Sequence, residues 1–223
     1  DVSNLKQTIS VSIGTFTAMM ISLGLVLLAK ERSESLLQRL ALRDVLTGIL
    51  NRRAILEQFA KELERARRDN AYLAVAMVDI DHFKQINDVH GHLAGDEVIC
   101  HCVNHLTRRL RQSDSIGRYG GEEFLLLLPG TSPDDAVAVL DDVRASLVGA
   151  PAKFGDTSID LRISIGVCCV VPDERDTSAS LLARADAALY EAKAMGRNTL
   201  RLAPGDLHRS DARVGDASQM LSR

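Results

Sequence analysis

The chain has 223 residues, a hydrophobic fraction of 46% and a charged fraction of 26%, which are ordinary values for a folded protein with a packed core. Its formal net charge of −3 argues against a general nucleic-acid binder, because such proteins are usually basic. The first residue is Asp1 rather than methionine, so we expect a fragment of a longer protein or a processed product.

The first element in chain order is an apolar segment at residues 9–29, within a stretch that carries no charge between Lys6 and Lys30. As a helix it would span roughly 30 Å, the thickness of the hydrocarbon core of a bilayer. A buried core helix usually shows a polar face, and a signal peptide has a shorter apolar region. We therefore predict a transmembrane helix, with residues 1–8 as its N-terminal flank.

The basic residues around this segment predict its orientation. Only Lys6 precedes it, whereas four basic residues follow: Lys30, Arg32, Arg39 and Arg43. The positive-inside rule then places the C-terminal part in the cytoplasm, with the helix in the cell inner membrane. Small residues at i+4 spacing could let two such helices approach closely, although small residues are common in membrane helices. These are Ser10, Gly14, Ala18 and Ser22.

Residues 30–43 predict a charged stalk helix with a short leucine stripe, which is too short to establish a coiled coil. Beyond it, helical and strand patterns alternate as far as residue 202. Helices are predicted at 52–68, 83–110 with interruptions at Gly91 and Gly95, 132 or 134 to 148, and 178–194. Strands are predicted at 72–79, 115–119, 122–128, 159–171 and 199–202. This mixture indicates an α+β domain at residues 44–202, and the polar tail at 203–223 is predicted to be disordered.

The cysteines form no CxxC pair, which favours a reducing compartment for this domain: Cys100, Cys102, Cys168 and Cys169. A zinc site that combines Cys100 and Cys102 with His101 and His105 is an alternative. Residues two positions apart on a helix point in different directions, however, so buried apolar thiols explain these cysteines better.

Two acidic clusters stand where predicted strands end or begin. Asp79 and Asp81 close one strand, and Glu122 and Glu123 follow the pair Gly120-Gly121. Hard cations such as Mg²⁺ prefer oxygen ligands, usually carboxylates together with substrate phosphates. If the strands are neighbours, Asp79 and Glu122 could share one ion. The glycines would let a ligand approach the backbone closely, although Gly-Gly is usually only a turn.

These clusters fall within a set of blocks that resembles a known family. Residues 118–124 read RYGGEEF, which resembles the signature of the GGDEF family, the diguanylate cyclases, in its GGEEF form. Further blocks occur in the family's order: DVLTGILNRR at 44–53, DIDHFKQIND at 79–88, Gly91-His92, Gly95-Asp96, SIGV at 164–167 and ADAALYEAKAMGRN at 185–198. The resemblance covers residues 44–202. It implies a mostly antiparallel central sheet wrapped by helices, similar to the palm of adenylate cyclases and polymerases.

The resemblance also implies roles for individual residues. Mg²⁺, or alternatively Mn²⁺, would be bound by Asp79, the Ile80 carbonyl, Glu122 and Glu123, of which the three acids are the catalytic residues. The guanine edge would be read by Asn87 and Asp96. The phosphates would be held by Lys84, Lys193, Arg197 and backbone N–H groups near His82 and Phe83. Gly120 and Gly121 would lie against the nucleotide.

The implied reaction joins two GTP molecules into cyclic di-GMP with release of two pyrophosphates. Each domain holds one GTP, so a homodimer is expected, and Glu123 or a metal-bound water is the candidate proton acceptor. Arg111 and Asp114 match an RxxD inhibitory site for the product. Some members add an arginine from the following helix, which here carries Asp141, Asp142 and Arg144. A nucleotide-sensing module without catalysis and a cyclase with another product remain alternatives, and a purely structural membrane protein is disfavoured.

Overall fold

The structure is a computed structural model that describes residues 13–30, 32 and 42–204. The chain divides into two compact units, residues 1–42 and 43–223. The first contains helix α1, Ile13–Lys30. The helices of the second are α2 Arg52–Asp69, α3 Phe83–His90, α4 His92–Thr107, α5 Pro133–Leu147 and α6 Ser178–Ala194. Its strands are β1 Leu73–Ile80, β2 Ser115–Arg118, β3 Glu123–Pro129, β4 Ala152–Phe154, β5 Thr157–Ile159, β6 Ile163–Val170 and β7 Leu200–Leu202.

Helix α1 has 18 residues with a mean hydropathy of 1.8, and none of them is buried. Its length and composition are sufficient to cross a membrane, a test that signal sequences also pass. Several predictions extend beyond the described residues. These are the start of the transmembrane segment at 9–12, most of the stalk at 31 and 33–41, and the tail at 205–223.

The sheet of the second unit has five strands in the order β2-β3-β1-β6-β7. Neighbours are antiparallel from β2 to β6, and only β6 and β7 run parallel. This confirms the predicted α+β fold with a mostly antiparallel sheet. Strand β1 lies at the centre, and all eight of its residues are buried.

Side chains of β1 alternate between two apolar layers, as strand geometry requires. Ala74, Ala76 and Val78 pack in one layer with α4 and α5. Leu73, Val75 and Met77 pack in the other layer with α2 and α6. Because this alternation continues along the strand, Asp79 emerges on the face that α6 covers.

Two predicted elements differ from the structure. Gly95 does not interrupt a helix but lies inside α4, and only Gly91 separates α3 from α4. The predicted strand at 159–171 is wrong at its start, because the chain leaves β5 at Ile159 and begins β6 at Ile163. The β4–β5 hairpin was not predicted, and its turn uses Gly155 at a φ of 57°.

Candidate active site

Two acids lie on neighbouring strands at one end of β1 and β3. In the antiparallel register of β1 and β3, Asp79 lies opposite Glu123. Glu122 precedes β3 in the turn, where its carbonyl accepts a hydrogen bond from Ile80 N at 3.3 Å. A Cβ on Gly120 would lie 2.5 Å from Glu123 Oε2, so the glycine makes room for this carboxylate. The register therefore brings Asp79 and Glu123 together, with Glu122 adjacent through its backbone.

A lysine from α6 forms an ion pair with Asp79. Lys193 Nζ lies 2.8 Å from Asp79 Oδ2, and the Asp79 side chain is only 9% exposed. Burial raises the pKa of Asp79, and the charges of Glu123 and Asp81 add to the shift, while the Lys193 ammonium opposes it. A buried carboxylate beside another acid is stabilised by a cation, and in this structure Lys193 is that cation.

The second acid after the strand, Asp81, has a different environment from Asp79. It is 5% exposed and accepts hydrogen bonds from Ser164 Oγ at 2.7 Å and from the backbone N–H of Asn198 at 2.8 Å. Asp81 thus fastens the end of β1 to the segment that follows α6. Arg197, a predicted phosphate ligand, is exposed in this segment.

The glycine turn is held by a chain of contacts that reaches the opening block of the domain. Arg118 donates from Nε and Nη2 to the Gly121 carbonyl at 3.1 and 2.8 Å. Its Nη1 lies 3.3 Å from Asp44. Asp44 also accepts from the Thr47 backbone N–H and hydroxyl. Burial alone would raise the pKa of Asp44, but the bonds from Thr47 and Arg118 outweigh it, and the pKa is lowered.

The N-terminus of α3 faces solvent with an uncapped first turn. His82 is the N-cap in a left-handed conformation with a φ of 56°, and its side chain makes no capping hydrogen bond. The first N–H groups of a helix lack partners within the helix, and such N–H groups favour anions. Phe83 begins this helix, and Lys84, which follows it, is exposed. These residues provide N–H donors and a cation at one place.

The opposite end of α3 contains a polar atom without a partner. Asn87 Oδ1 is buried and has no hydrogen-bond partner in the described part of the chain. A Cβ on Gly95 would overlap this oxygen, so glycine at this position of α4 is required for the Asn87 side chain to lie where it does. Asp96, the next residue, is exposed. A ligand with N–H donors would satisfy both the amide oxygen and the carboxylate.

The RxxD motif forms a tight turn between α4 and β2. Arg111 N donates to Asp114 Oδ2 at 2.8 Å, and Asp114 N donates to the Arg111 carbonyl at 3.0 Å. The Arg111 guanidinium is exposed and makes no ion pair with any residue that the structure describes. Arg144 on α5 does not join this turn, since its guanidinium binds Asp141 and Asn198.

The donors present suit a divalent cation only in part. Among residues 13–30, 32 and 42–204, no three His, Cys, Asp or Glu side chains are grouped to hold an ion. Asp79 and Glu123 nevertheless offer two carboxylates from neighbouring strands, beside the backbone of Ile80 and Glu122. One or two carboxylates with substrate phosphates are the usual ligand set of Mg²⁺, so these residues fit the ion when a nucleotide completes the site.

Comparison with known proteins settles the family. The family described as "Diguanylate cyclase, GGDEF domain" matches residues 41–199. The chain belongs to the GGDEF family of diguanylate cyclases. The diguanylate cyclase DgcP of Pseudomonas aeruginosa is 43% identical to this GGDEF protein over 163 residues, which are 73% of this chain and 24% of DgcP. The response regulator PleD of Caulobacter vibrioides is 39% identical over 163 residues, which are 72% of this chain and 36% of PleD.

Solved structures of GGDEF domains have the same fold. The GGDEF domain of DgcB from Caulobacter crescentus, solved in complex with c-di-GMP, superposes with a TM-score of 0.69 at 30% identity. That match covers 74% of this chain and 94% of the DgcB chain. The chain spans 24% of DgcP and 36% of PleD, so the similarity to these longer proteins is a similarity of one GGDEF domain.

Some residues at this site were not singled out as site residues from the sequence. Asn198, just after α6, is bonded to Asp81 at the end of β1 and to Arg144 on α5. Asp44 is bonded to Arg118, which lies 74 positions away in the sequence. Three of them lie in blocks that resemble the family, and this was the only signal in the sequence that they belong to the site: Asp44, Asp81 and Asn198. Their partners depend on tertiary contacts that no local spacing reveals.

Proposed function

We propose that this chain is a diguanylate cyclase that condenses two GTP molecules into cyclic di-GMP and releases two pyrophosphates. The observation that carries the proposal is the pairing of the buried Asp79 with Glu123 across β1 and β3, beside Lys193. Family membership and the named diguanylate cyclases among the relatives support it. The GGDEF domain extends over residues 44–202.

Mg²⁺, or Mn²⁺ in its place, is the proposed cofactor, held by Asp79, the Ile80 carbonyl, Glu122 and Glu123. When bound, the ion lowers the pKa of the attacking hydroxyl and stabilises charge on the phosphate oxygens. The register of β1 and β3 supports this assignment, because it places the carboxyl groups of Asp79 and Glu123 opposite each other on neighbouring strands. Lys193 would then move from Asp79 to the phosphates of the nucleotide.

The nucleotide is proposed to lie along α3. Lys84, Lys193 and Arg197 would neutralise the β- and γ-phosphates, with N–H groups near His82 and Phe83 donating at the start of the helix. Asn87 Oδ1 and the Asp96 carboxylate would accept hydrogen bonds from the N1–H and 2-amino groups of guanine, a donor pattern that adenine lacks. Gly120 and Gly121 would lie against the nucleotide. Apart from its chain neighbours, no residue that the structure describes lies within 4 Å of a Cβ built on Gly121.

In the proposed reaction, the 3′-hydroxyl of one GTP attacks the α-phosphorus of the other, and pyrophosphate leaves. Two such attacks close the ring. The proton of the hydroxyl passes to Glu123 or to a water. Since each domain binds one GTP, two domains face each other in a homodimer, and tethering raises their effective concentration.

Product feedback is proposed at Arg111 and Asp114. The exposed guanidinium of Arg111 can stack on guanine and pair with phosphate, as arginine does in nucleotide sites. The DgcB domain solved with c-di-GMP supports product binding in this family. The engagement of Arg144 with Asp141 and Asn198 speaks against a second arginine from α5.

The protein is proposed to be anchored in the inner membrane by residues 9–29, with the stalk at 30–43 and the GGDEF domain in the cytoplasm. The unburied apolar surface of α1 supports this assignment. Residues 203–223 would form a disordered tail. No nucleic-acid partner is expected, given the net charge of −3.

The decisive test is incubation of the full chain, in detergent micelles, with GTP and Mg²⁺, followed by product identification by mass spectrometry. We expect cyclic di-GMP and pyrophosphate, and we expect Glu122→Ala and Glu123→Ala each to abolish the reaction by removing a metal ligand. Arg109→Ala, which breaks only an exposed ion pair with Asp142, is the control and should remain active. Binding of GTP without turnover by the unmodified chain would instead indicate a sensing module, and a different cyclic product would refute the substrate assignment.

A further inference from the structure

The segment after α6 has an unusual backbone. Gly196, Arg197 and Asn198 all have positive φ, at 107°, 63° and 45°. Non-glycine residues seldom adopt this left-handed conformation, and two in succession persist only where the surroundings hold them. Arg197 N donates to the Ala192 carbonyl at 3.2 Å, so the turn folds back onto the last turn of the helix. The exposed side chain of Arg197 takes its direction from this turn.

One side of the turn is held by Asp81. Its Oδ2 accepts the Asn198 N–H at 2.8 Å, and its Oδ1 accepts the Ser164 hydroxyl at 2.7 Å. Ser164 is completely buried on β6, and Asp81 is 5% exposed. Both carboxylate oxygens are therefore engaged, which fixes the orientation of the carboxylate relative to the sheet.

The other side of the turn is held by Arg144 of α5. Its Nη1 donates to the Asn198 carbonyl and to Asn198 Oδ1, each at 3.1 Å. Its Nε lies 2.7 Å from Asp141 Oδ1, and the side chain is 18% exposed. Asn198 thus has its N–H and its carbonyl bound by charged side chains from two different elements.

We propose that Arg144 and Asp81 are positioning residues that act through Asn198 to aim Arg197 at the β- and γ-phosphates of GTP. This inference rests on the proposed function, in which Arg197 is a phosphate ligand. Neither residue touches the nucleotide.

A loss of affinity that is limited to the triphosphate would distinguish a positioning role of Arg144 from a general structural role. Loss of Arg144 frees the Asn198 carbonyl, so that the turn no longer fixes Arg197, while Asn87 and Asp96 are unaffected. Affinity for GTP should fall, and affinity for GMP, which has no β- or γ-phosphate, should not. If Arg144 acts only through Arg197, removal of both arginines should cost no more than removal of Arg197 alone.

The test measures dissociation constants, by calorimetry with Mg²⁺ present, for GMP and for a GTP analogue whose α–β bridge cannot be cleaved. The full chain in detergent micelles is compared with Arg144→Ala, Arg197→Ala and the double variant. Arg109→Ala is the matched control, because it also removes an arginine that pairs with an aspartate of α5, Asp142. We expect Arg144→Ala to bind the analogue about tenfold more weakly, as loss of a charge-assisted hydrogen bond implies, with GMP binding unchanged. The double variant should equal Arg197→Ala.

Three outcomes would overturn the inference. In the first, Arg144→Ala binds the analogue with normal affinity. In the second, Arg144→Ala loses affinity for GMP and for the analogue equally. In the third, the loss of affinity in the double variant is the sum of the losses in the two single variants. If Arg197→Ala itself binds the analogue normally, the proposed phosphate role of Arg197 fails, and the inference fails with it. Where Arg144→Ala does not fold, Arg144→Lys replaces it. A lysine retains only part of the contacts to Asn198, so this variant should also lose affinity for the analogue and keep its affinity for GMP.

Discussion

At the scale of single residues, the Asp79 carboxylate has two cationic partners, one observed and one proposed. In the structure its carboxylate pairs with Lys193, and in the proposed reaction it binds a metal ion while Lys193 binds phosphate. Both cations cannot occupy the same carboxylate oxygen. Under the proposed roles, Lys193 would compete with the ion when no nucleotide is present, and the triphosphate would remove this competition by giving the ammonium another partner.

Replacement of Lys193 by alanine should consequently strengthen metal binding in the absence of nucleotide. We expect the dissociation constant of Mn²⁺, measured by electron paramagnetic resonance, to fall about tenfold, since one charge at this distance is worth on the order of 1 kcal/mol or more. Lys84→Ala is the control, because Lys84 is exposed and makes no ion pair with a described residue. Equal Mn²⁺ affinity in the wild type and Lys193→Ala would show that the ion pair does not oppose the metal.

The sequence predicted some of these residues and not others, for a physical reason. Asp79 and Glu123 stand at strand ends inside two blocks that resemble the GGDEF family, so the resemblance implied roles for both. Whether Glu122 or Glu123 lies opposite Asp79 depends on the strand register, which only the structure supplies. The bond between Asn198 and Asp81 joins positions 117 apart, and no local pattern encodes it.

At the scale of secondary-structure elements, α6 packs against β6 at Gly166. A Cβ at this position would overlap backbone atoms of Leu189 and Ala185, so the helix lies directly on the strand. This contact holds the helix that carries Lys193 close to the strand that carries Ser164. Backbone atoms cannot rotate away as a flexible side chain can.

The substitution Gly166→Ala should therefore destabilise the GGDEF domain strongly. Overpacking typically costs about 1–3 kcal/mol, and we expect the upper end or beyond because backbone obstructs the new methyl group. Urea denaturation gives the free energy of unfolding. Gly121→Ala is the matched control, since open space surrounds its Cβ, and it should unfold like the wild type while binding GTP more weakly. A Gly166→Ala domain of normal stability would contradict this packing.

The hairpin of β2 and β3 depends on Asp44 for the contacts of its turn, and this dependence should vary with pH. The pKa of Asp44 is lowered in the folded chain, so its contribution is present above its ordinary pKa of about 3.9 and is lost as pH falls through the folded value. Asp44→Asn should be less stable than the wild type at pH 7, by about 1 kcal/mol. The difference should shrink below about pH 4.

Thermal unfolding from pH 3 to pH 7 measures this difference between the wild type and Asp44→Asn. Glu57→Gln is the control, because Glu57 and Arg53 form an exposed i,i+4 pair, which contributes little to stability. A constant difference in Tm across the range would show that the Asp44 charge does not hold the turn.

Prediction of the elements succeeded where an element was long. Strand β1, with eight residues, and helix α6, with Gly196 just beyond its end, were predicted within one residue. The β4–β5 hairpin was missed because each of its strands has only three residues, too few for alternation to show. Because glycine disfavours helices, the sequence predicts a break at Gly95, whereas the close approach of Asn87 explains why a glycine lies in α4.

At the scale of the whole molecule, the proposed inhibitory turn at 111–114 and the glycine turn at 120–121 lie at opposite ends of β2, a strand of four residues. Arg111→Ala should weaken feedback and leave the initial rate unchanged, because the side chain is exposed and lies at the end of β2 opposite the glycine turn. We expect the inhibition constant of added cyclic di-GMP to rise about tenfold or more. Arg109→Ala should be inhibited normally, and unchanged inhibition of Arg111→Ala would remove the site from the proposed function.

Strand β1 is hydrogen-bonded on both edges and buried along its whole length, and Asp79 stands at its end. Amides of such a strand exchange with solvent only when the entire domain opens. Local melting therefore cannot move Asp79 without the loss of the fold. For the proposed homodimer, we expect an input signal to change how often the two domains meet rather than the structure of either domain.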